Sequence, residues 1–170
     1  MKYISIILLA VAITSCESAK KKLADQIKAS ETKLFNDSMK VLNLQEANAV
    51  YKNYILYADT YKEDTSSADY LFKAADLANG LNRPKESIEL FERLRNSFPQ
   101  YRKSSSALFM EAFIYETAMN DKESAKKKYK EFIAAYPDHK LTPSAKASLD
   151  QLNSNLSDEE MIKMFEAKNK

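Results

Sequence analysis

An all-α fold, a short solenoid of antiparallel helix pairs, is what this 170-residue sequence predicts. Three observations carry that expectation. Glycine occurs once, at Gly80, whereas β-rich and α/β folds need glycine at turns and ligand loops. Apolar residues recur at three- and four-residue spacing through the chain after residue 23, the period of an amphipathic helix. A shift of 38 residues carries Leu71 onto Phe109 and Pro99 onto Pro137, with the classes between them matching without a gap.

The first residues are of a different kind. Met1-Lys2 is a short positive start, and Ile4 to Ile13 is a mostly apolar run. That run has about half of the ~20 residues a membrane-spanning helix needs. It reads as the apolar segment of a signal peptide. Ile13-Thr14-Ser15-Cys16 then resembles a bacterial lipobox. The resemblance implies that residues 1–15 are a lipoprotein signal peptide, removed when Cys16 is acylated. Several acyl chains, palmitate among them, hold a protein firmly where one would be marginal. An ordinary secretory signal with an incidental cysteine is the competing explanation. Cys16 is the sole cysteine and stands at the required place, which favours the lipid. It also excludes an intrachain disulfide or a thiolate metal cluster. Residues 16–22 read as a polar, lipid-anchored tether. Their lysines are unlike the acidic runs that send some lipoproteins to the cell surface. The expected place is therefore the outer membrane, facing the periplasm.

Residues 23–152 read as the repeat domain. Leu23 to about Leu44 shows loose helical spacing through Ile27, Leu34, Met39 and Leu42. Ala47 to Tyr61 puts Val50, Tyr54, Tyr57 and Tyr61 on one side, and Lys62 to Ser67 is a polar break. Ala68 to Leu81 carries Leu71, Ala74, Ala75 and Ala78 on one stripe. Asn82-Arg83-Pro84 turns the chain, and Pro84 suits the first position of the next helix. That helix turns Ile88, Phe91 and Leu94 inward and stops at Phe98-Pro99. Ser106 to Met119, Asn120-Asp121, Glu123 to Ala135 and Tyr136-Pro137 repeat the scheme. Pro143 opens a helix to about Leu152. Residues 153–170 read as a C-terminal capping helix and tail, with Ser157 and Glu160 forming a capping box.

A helix pair cannot bury its apolar side alone, so stacked pairs build one continuous core. The repeated positions resemble the tetratricopeptide repeat. They are the packing residues Ala74 and Ala112, the small residues Ser87 and Ala125, the aromatics Phe91 and Tyr129, and the terminal prolines Pro99 and Pro137. The resemblance covers roughly Ala47 to Leu152, with a degenerate unit ahead of the two clear ones. It implies a tetratricopeptide-like α-solenoid. Two positions depart from it. Phe113 stands where a small residue is usual, which predicts helices that splay or repack there, and Glu116 stands opposite the apolar Ala78. The phrase Tyr129-Lys130-Glu131-Phe132-Ile133-Ala134-Ala135-Tyr136-Pro137-Asp138, together with the lipidated cysteine, is similar to outer-membrane lipoproteins of the β-barrel assembly machinery. That likeness implies an accessory docking on a barrel insertase.

The same resemblance implies ligand contact by first helices across a concave face. Carried onto this chain, it selects Asp69, Phe72, Asp76 and Asn79 in one repeat, and Met110, Ile114 and Thr117 in the next. The competing expectation is that neighbouring helices or the N-terminal helix cover them. The cluster Tyr51, Tyr54, Tyr57 and Tyr61 suits helix packing first and an interface second. Lys122, Lys126 and Lys130, with Lys127 and Lys128 beside them, read as a solvated face diluted by Glu123 and Glu131. His139, the only histidine, lacks the companions that catalysis or a metal requires. No catalytic set, metal site or cofactor motif is expected, and the acidic Asp158, Glu159 and Glu160 read as caps. A net charge of +2 excludes a strong electrostatic case for nucleic acid. The expectation is a lipid-anchored envelope scaffold for protein–protein interaction, not an enzyme. Its partners would be envelope proteins, with a barrel insertase foremost, and membrane lipid through Cys16. The alternatives are a binding module for peptidoglycan-associated or polysaccharide-export machinery, and a structural lipoprotein whose groove fills itself.

Overall fold

The computed structural model describes residues 2–35 and 43–154, with side chains from residue 17 onward. Among them are seven helices and no strands. The chain divides into two compact units, Met1–Tyr101 and Arg102–Lys170.

The first unit holds α1 (Lys2–Phe35), α2 (Leu44–Thr60), α3 (Thr65–Gly80) and α4 (Pro84–Ser97). Long-range pairs fix their directions. Lys33 meets Glu46 at 2.7 Å, and Tyr54 donates to Glu31 at 2.8 Å, so α1 and α2 run antiparallel. Lys20 meets Asp64 at 3.0 Å and Lys73 meets Glu31 at 2.7 Å, so α3 runs parallel to α1. Arg83 to Asn48, Tyr51 to Glu86 and Arg93 to Ala58 set α4 parallel to α2. Ile27, Ala47, Val50, Leu71, Ala74, Ala78, Phe91 and Leu94 are buried between the helices.

The second unit holds α5 (Ser104–Thr117), α6 (Lys122–Ala135) and α7 (Thr142–Asn153). Its core is Leu108, Ala112, Ala125, Tyr129, Phe132 and Ala145, with Phe109, Leu141 and Leu149 packed against it. Full burial of a Phe such as Phe132 contributes roughly 3–5 kcal/mol, judged by truncation to Ala.

Helix ends explain the repeat. Asn82 and Asn120 are the positive-φ residues among those described, at φ 59° and 50°. Asn tolerates this left-handed conformation better than most side chains. At Asn82 it closes a Schellman turn, with Arg83 N–H on Ala78 carbonyl (2.9 Å) and Asn82 N–H on Asn79 carbonyl (3.0 Å). The second helices end alike, at Tyr61, Phe98 and Tyr136, each donating its N–H four residues back. A buried hydroxyl stands six residues later in each case: Ser67, Ser104 and Thr142. Ser67 and Thr142 donate to the carbonyls of Tyr61 (2.7 Å) and Tyr136 (2.6 Å). This third occurrence, at Tyr61, gives α2 the same ending as α4 and α6.

Several expectations change. Residues 16–22, expected to be a short polar tether, are helical and continuous with α1. Glu17 to Lys22 contains no helix breaker, and Lys20 is held by Asp64. Leu44, expected near the end of the first helix, opens the next one: Asn43 caps α2 by accepting from the Gln45 and Glu46 N–H groups, while α1 is described to Phe35. The polar break after Tyr61 is shorter than read, because Asp64 caps α3 and starts it at Thr65. Phe113 is 41 % exposed. It points outward, so the helices need not splay. Met39 and Leu42 lie outside the described residues, as do the capping box at Ser157 and the acids at 158–160.

Candidate functional site

The face of α3 expected to bind carries Asp69, Phe72, Asp76 and Asn79 on one stripe, at helical spacing. Asp76 is exposed, and the other three are half-buried. Asp69 accepts a hydrogen bond from the Tyr101 hydroxyl. Phe72 meets Phe91 edge-on, with ring centroids 5.3 Å apart. That contact fixes Phe72 against α4 while part of its ring stays accessible.

Beside this stripe lies a groove of about 410 Å³, lined by Glu31, Phe35, Tyr54, Lys73, Asp76 and Leu77. Its size falls within the range of small-ligand and peptide side-chain pockets. α1 supplies one wall and α3 the other. Glu31 is the organising group: Lys73 donates to its Oε1 at 2.7 Å and the Tyr54 hydroxyl donates to the same oxygen at 2.8 Å. The Lys73 ammonium also lies 5.8 and 5.6 Å from the ring centroids of Tyr54 and Tyr70, within cation–π range. Burial, then the hydrogen bond to the Glu31 carboxylate, pushes the Tyr54 phenol well above its ordinary value. Phe35, 60 % exposed, forms an apolar lip. The groove thus combines an apolar lip and wall with an acidic group, Asp76, at its margin.

On α5, Met110 is half-buried and Thr117 exposed, its hydroxyl turned to the Phe113 carbonyl at 2.8 Å. Ile114 is fully buried. It belongs to the packed interior and offers nothing to a partner, so it leaves the set of contact residues. Its neighbour Phe113 is the accessible apolar residue of this face.

The other singled-out residues divide clearly. Tyr54 and Tyr57 are buried and pack with Tyr70 at 5.6 and 4.6 Å, as the helix-packing reading expects. Tyr51 donates to Glu86 at 2.9 Å, and burial followed by that bond raises its phenol to about 12. His139 Nδ1 accepts the Leu141 N–H at 3.2 Å, and its ring meets Phe132 edge-on at 5.4 Å, a structural post. Lys122, Lys127 and Lys130 are exposed, and Lys126 pairs with Glu123 at 3.1 Å. Lys128 does not join that face. It turns inward to Glu111 at 2.6 Å.

Four groove residues escaped the sequence reading: Glu31, Phe35, Lys73 and Leu77. Their signal was weak, because the register of α1 against α3 is unknown until the first unit is assembled. Glu111 had a readable signal, a charge set among the core residues Leu108 and Ala112.

Two segments, residues 69–101 and 106–139, match the family model for the tetratricopeptide repeat. They coincide with the helix pairs α3–α4 and α5–α6. Both pairs carry the tetratricopeptide repeat. No curated protein matches the chain significantly. The fold is all-α and tetratricopeptide-like. Such repeats are protein-interaction modules, typically non-catalytic scaffolds.

Proposed function

We propose that this chain is a lipid-anchored scaffold of the cell envelope, held at the outer membrane through acylated Cys16 and facing the periplasm. Its repeats bind a protein partner. The observation that carries this reading is the join between anchor and fold. Cys16 follows an apolar segment too short to span a bilayer, and the helix that contains it is bonded to the repeats from Lys20 onward. Among the described residues no helix is long and apolar enough to cross a membrane.

The partner's contact surface is the α1–α3 groove with the adjoining Phe72, Asp76 and Asn79. Met110, Phe113 and Thr117 form a second accessible set on α5. An extended segment or amphipathic helix with apolar anchors suits the groove, because Phe35 and Leu77 offer apolar surface there. The finer role is accessory work in outer-membrane protein assembly beside a β-barrel insertase. It is supported by the likeness of residues 129–138 to lipoproteins of that machinery.

Intact mass spectrometry of the chain extracted from membranes tests the anchor. A chain beginning at Cys16 with added acyl mass is expected, and Cys16→Ser is expected to lack that mass. An unacylated native chain would overturn the reading. Affinity capture from gently solubilised membranes tests the partner. Recovery of an integral barrel insertase is expected, whereas recovery of wall or export components would replace the assembly role.

A further inference from the structure

We infer that one edge of the first unit, formed by the Cys16 end of α1 and the α2–α3 turn, lies against the bilayer surface, with the groove standing away from it. This rests on the lipid-anchor reading of Cys16. Helix α1 is continuous from Lys2 to Phe35, so no flexible spacer separates Cys16 from the fold. Lys20 is ~6 Å from Cys16 along the helix axis, whereas an extended seven-residue tether would reach ~24 Å.

Helix α1 is held along its length. Lys20 reaches Asp64 at 3.0 Å, Ile27 is buried, and Glu31 takes Lys73 and Tyr54. Lys33 completes the series at Glu46. A membrane attachment at Cys16 therefore orients the unit as well as localising it. The α2–α3 turn, Tyr61 to Asp64, is brought to the surface with it. The Asn82 turn lies at the other end of α3, ~24 Å farther along a 16-residue helix.

The alternative posture, with α1 lying flat in the interface, lacks the necessary apolar face. Its exposed residues from Glu17 to Lys33, Ser18, Lys21, Lys22, Asp25, Gln26 and Ala29 among them, include no bulky apolar side chain to enter the acyl boundary, and the exposed Phe35 stands at the end of the helix far from Cys16. The helix stands off the membrane instead. The edge carries both signs, Lys20, Lys21, Lys22 and Lys62 against Glu17, Glu63 and Asp64, so its contact depends little on anionic lipid.

The test uses the chain purified from membranes, its acylation checked by intact mass. It is placed in phosphatidylcholine nanodiscs containing a gadolinium-chelate lipid, and paramagnetic broadening of backbone amide signals is measured. Broadening at Lys62 to Asp64 is expected to be several-fold stronger than at Asn79 to Arg83. Equal broadening at the two turns, or stronger broadening at Asn79 to Arg83, in an acylated chain would overturn the orientation and leave the anchor standing. A chain carrying no acyl mass would remove the anchor reading and this inference together.

Discussion

The helix pairs α3–α4 and α5–α6 share a backbone plan and use their polar side chains in opposite ways. Slot 73 of the first pair is Lys73, 43 % exposed along its side chain, reaching back to Glu31 at the wall of a groove. The same slot of the second pair is Glu111, fully buried and bonded to Lys128, whose own counterpart is the buried Leu90. Ser87 donates to the Ala75 carbonyl at 2.7 Å, while its counterpart Ala125 only packs. Phe91 is apolar, while its counterpart Tyr129 donates to Glu116 at 2.6 Å. That bond gives Glu116 its place opposite the apolar Ala78. The first pair thus places its charge at an accessible surface, and the second encloses its charge within the core. One scaffold exposes a charged groove in the first case and holds a self-satisfied polar interior in the second.

The largest contrast is expected from breaking each ion pair. Lys128→Met takes the ammonium at 2.6 Å away from the buried Glu111 carboxylate and should lower stability by about 3 kcal/mol in urea unfolding. Lys73→Met, at a partly exposed pair, should lower it by about 1 kcal/mol or less. Adding Glu111→Met to Lys128→Met should recover most of the loss, because an apolar pair then replaces the ionic one. Failure of the double variant to recover would show that Glu111 is needed for more than its pairing.

Neighbouring residues on α5 sharpen the same point. Ile114→Asp puts a charge at a fully buried position and should lower stability by several kcal/mol, about 3 or more, in urea unfolding. Phe113→Asp should change stability by only about 0.5 kcal/mol, as is usual for exposed positions.

The turns should behave alike in the two pairs. Asn82→Ala and Asn120→Ala each force Cβ strain at positive φ and should cost about 1–2 kcal/mol. Glycine at either place should be close to neutral, because it adopts positive φ freely. Unequal alanine costs would mean that the Schellman bonds at Arg83 and the Asp121 cap contribute separately to the two turns.

The smallest expected effect is alkaline. Tyr54 and Tyr129 have phenols raised above the ordinary 10.0, first by burial and then by their carboxylate partners. A raised folded value means that their stabilisation is fully present below pH 10 and is lost as pH rises through the folded value. Tyr54→Phe and Tyr129→Phe should each flatten the fall in melting temperature above pH 10. An unchanged slope in both would assign alkaline instability to other groups.

Much of this fold was legible in the sequence because helix breakers and the 38-residue register act locally. Pro84, Asn82 and Asn120, and the stops at Phe98 and Tyr136 all fall where the pattern put them. Asp64 was harder to read, since a capping carboxylate and a loop carboxylate look alike before the neighbouring N–H groups are placed. The candidate surface was half legible. Asp76 and Phe72 follow from α3 alone, but Glu31 and Lys73 join only through the packing of α1 on α3. Ile114 was misplaced because periodicity tells which residues share a face, not which neighbour covers that face.

The central claim is that the first unit holds the recognition surface. Its direct test is capture from mildly solubilised membranes with two folded variants, each changing exposed residues only. Phe35→Asp with Asp76→Lys alters the groove, and Phe113→Asp with Thr117→Lys alters the face of α5. Loss of the native chain's principal partner from the first variant, with retention by the second, is the expected result. Retention by the groove variant, or loss confined to the α5 variant, would contradict the account.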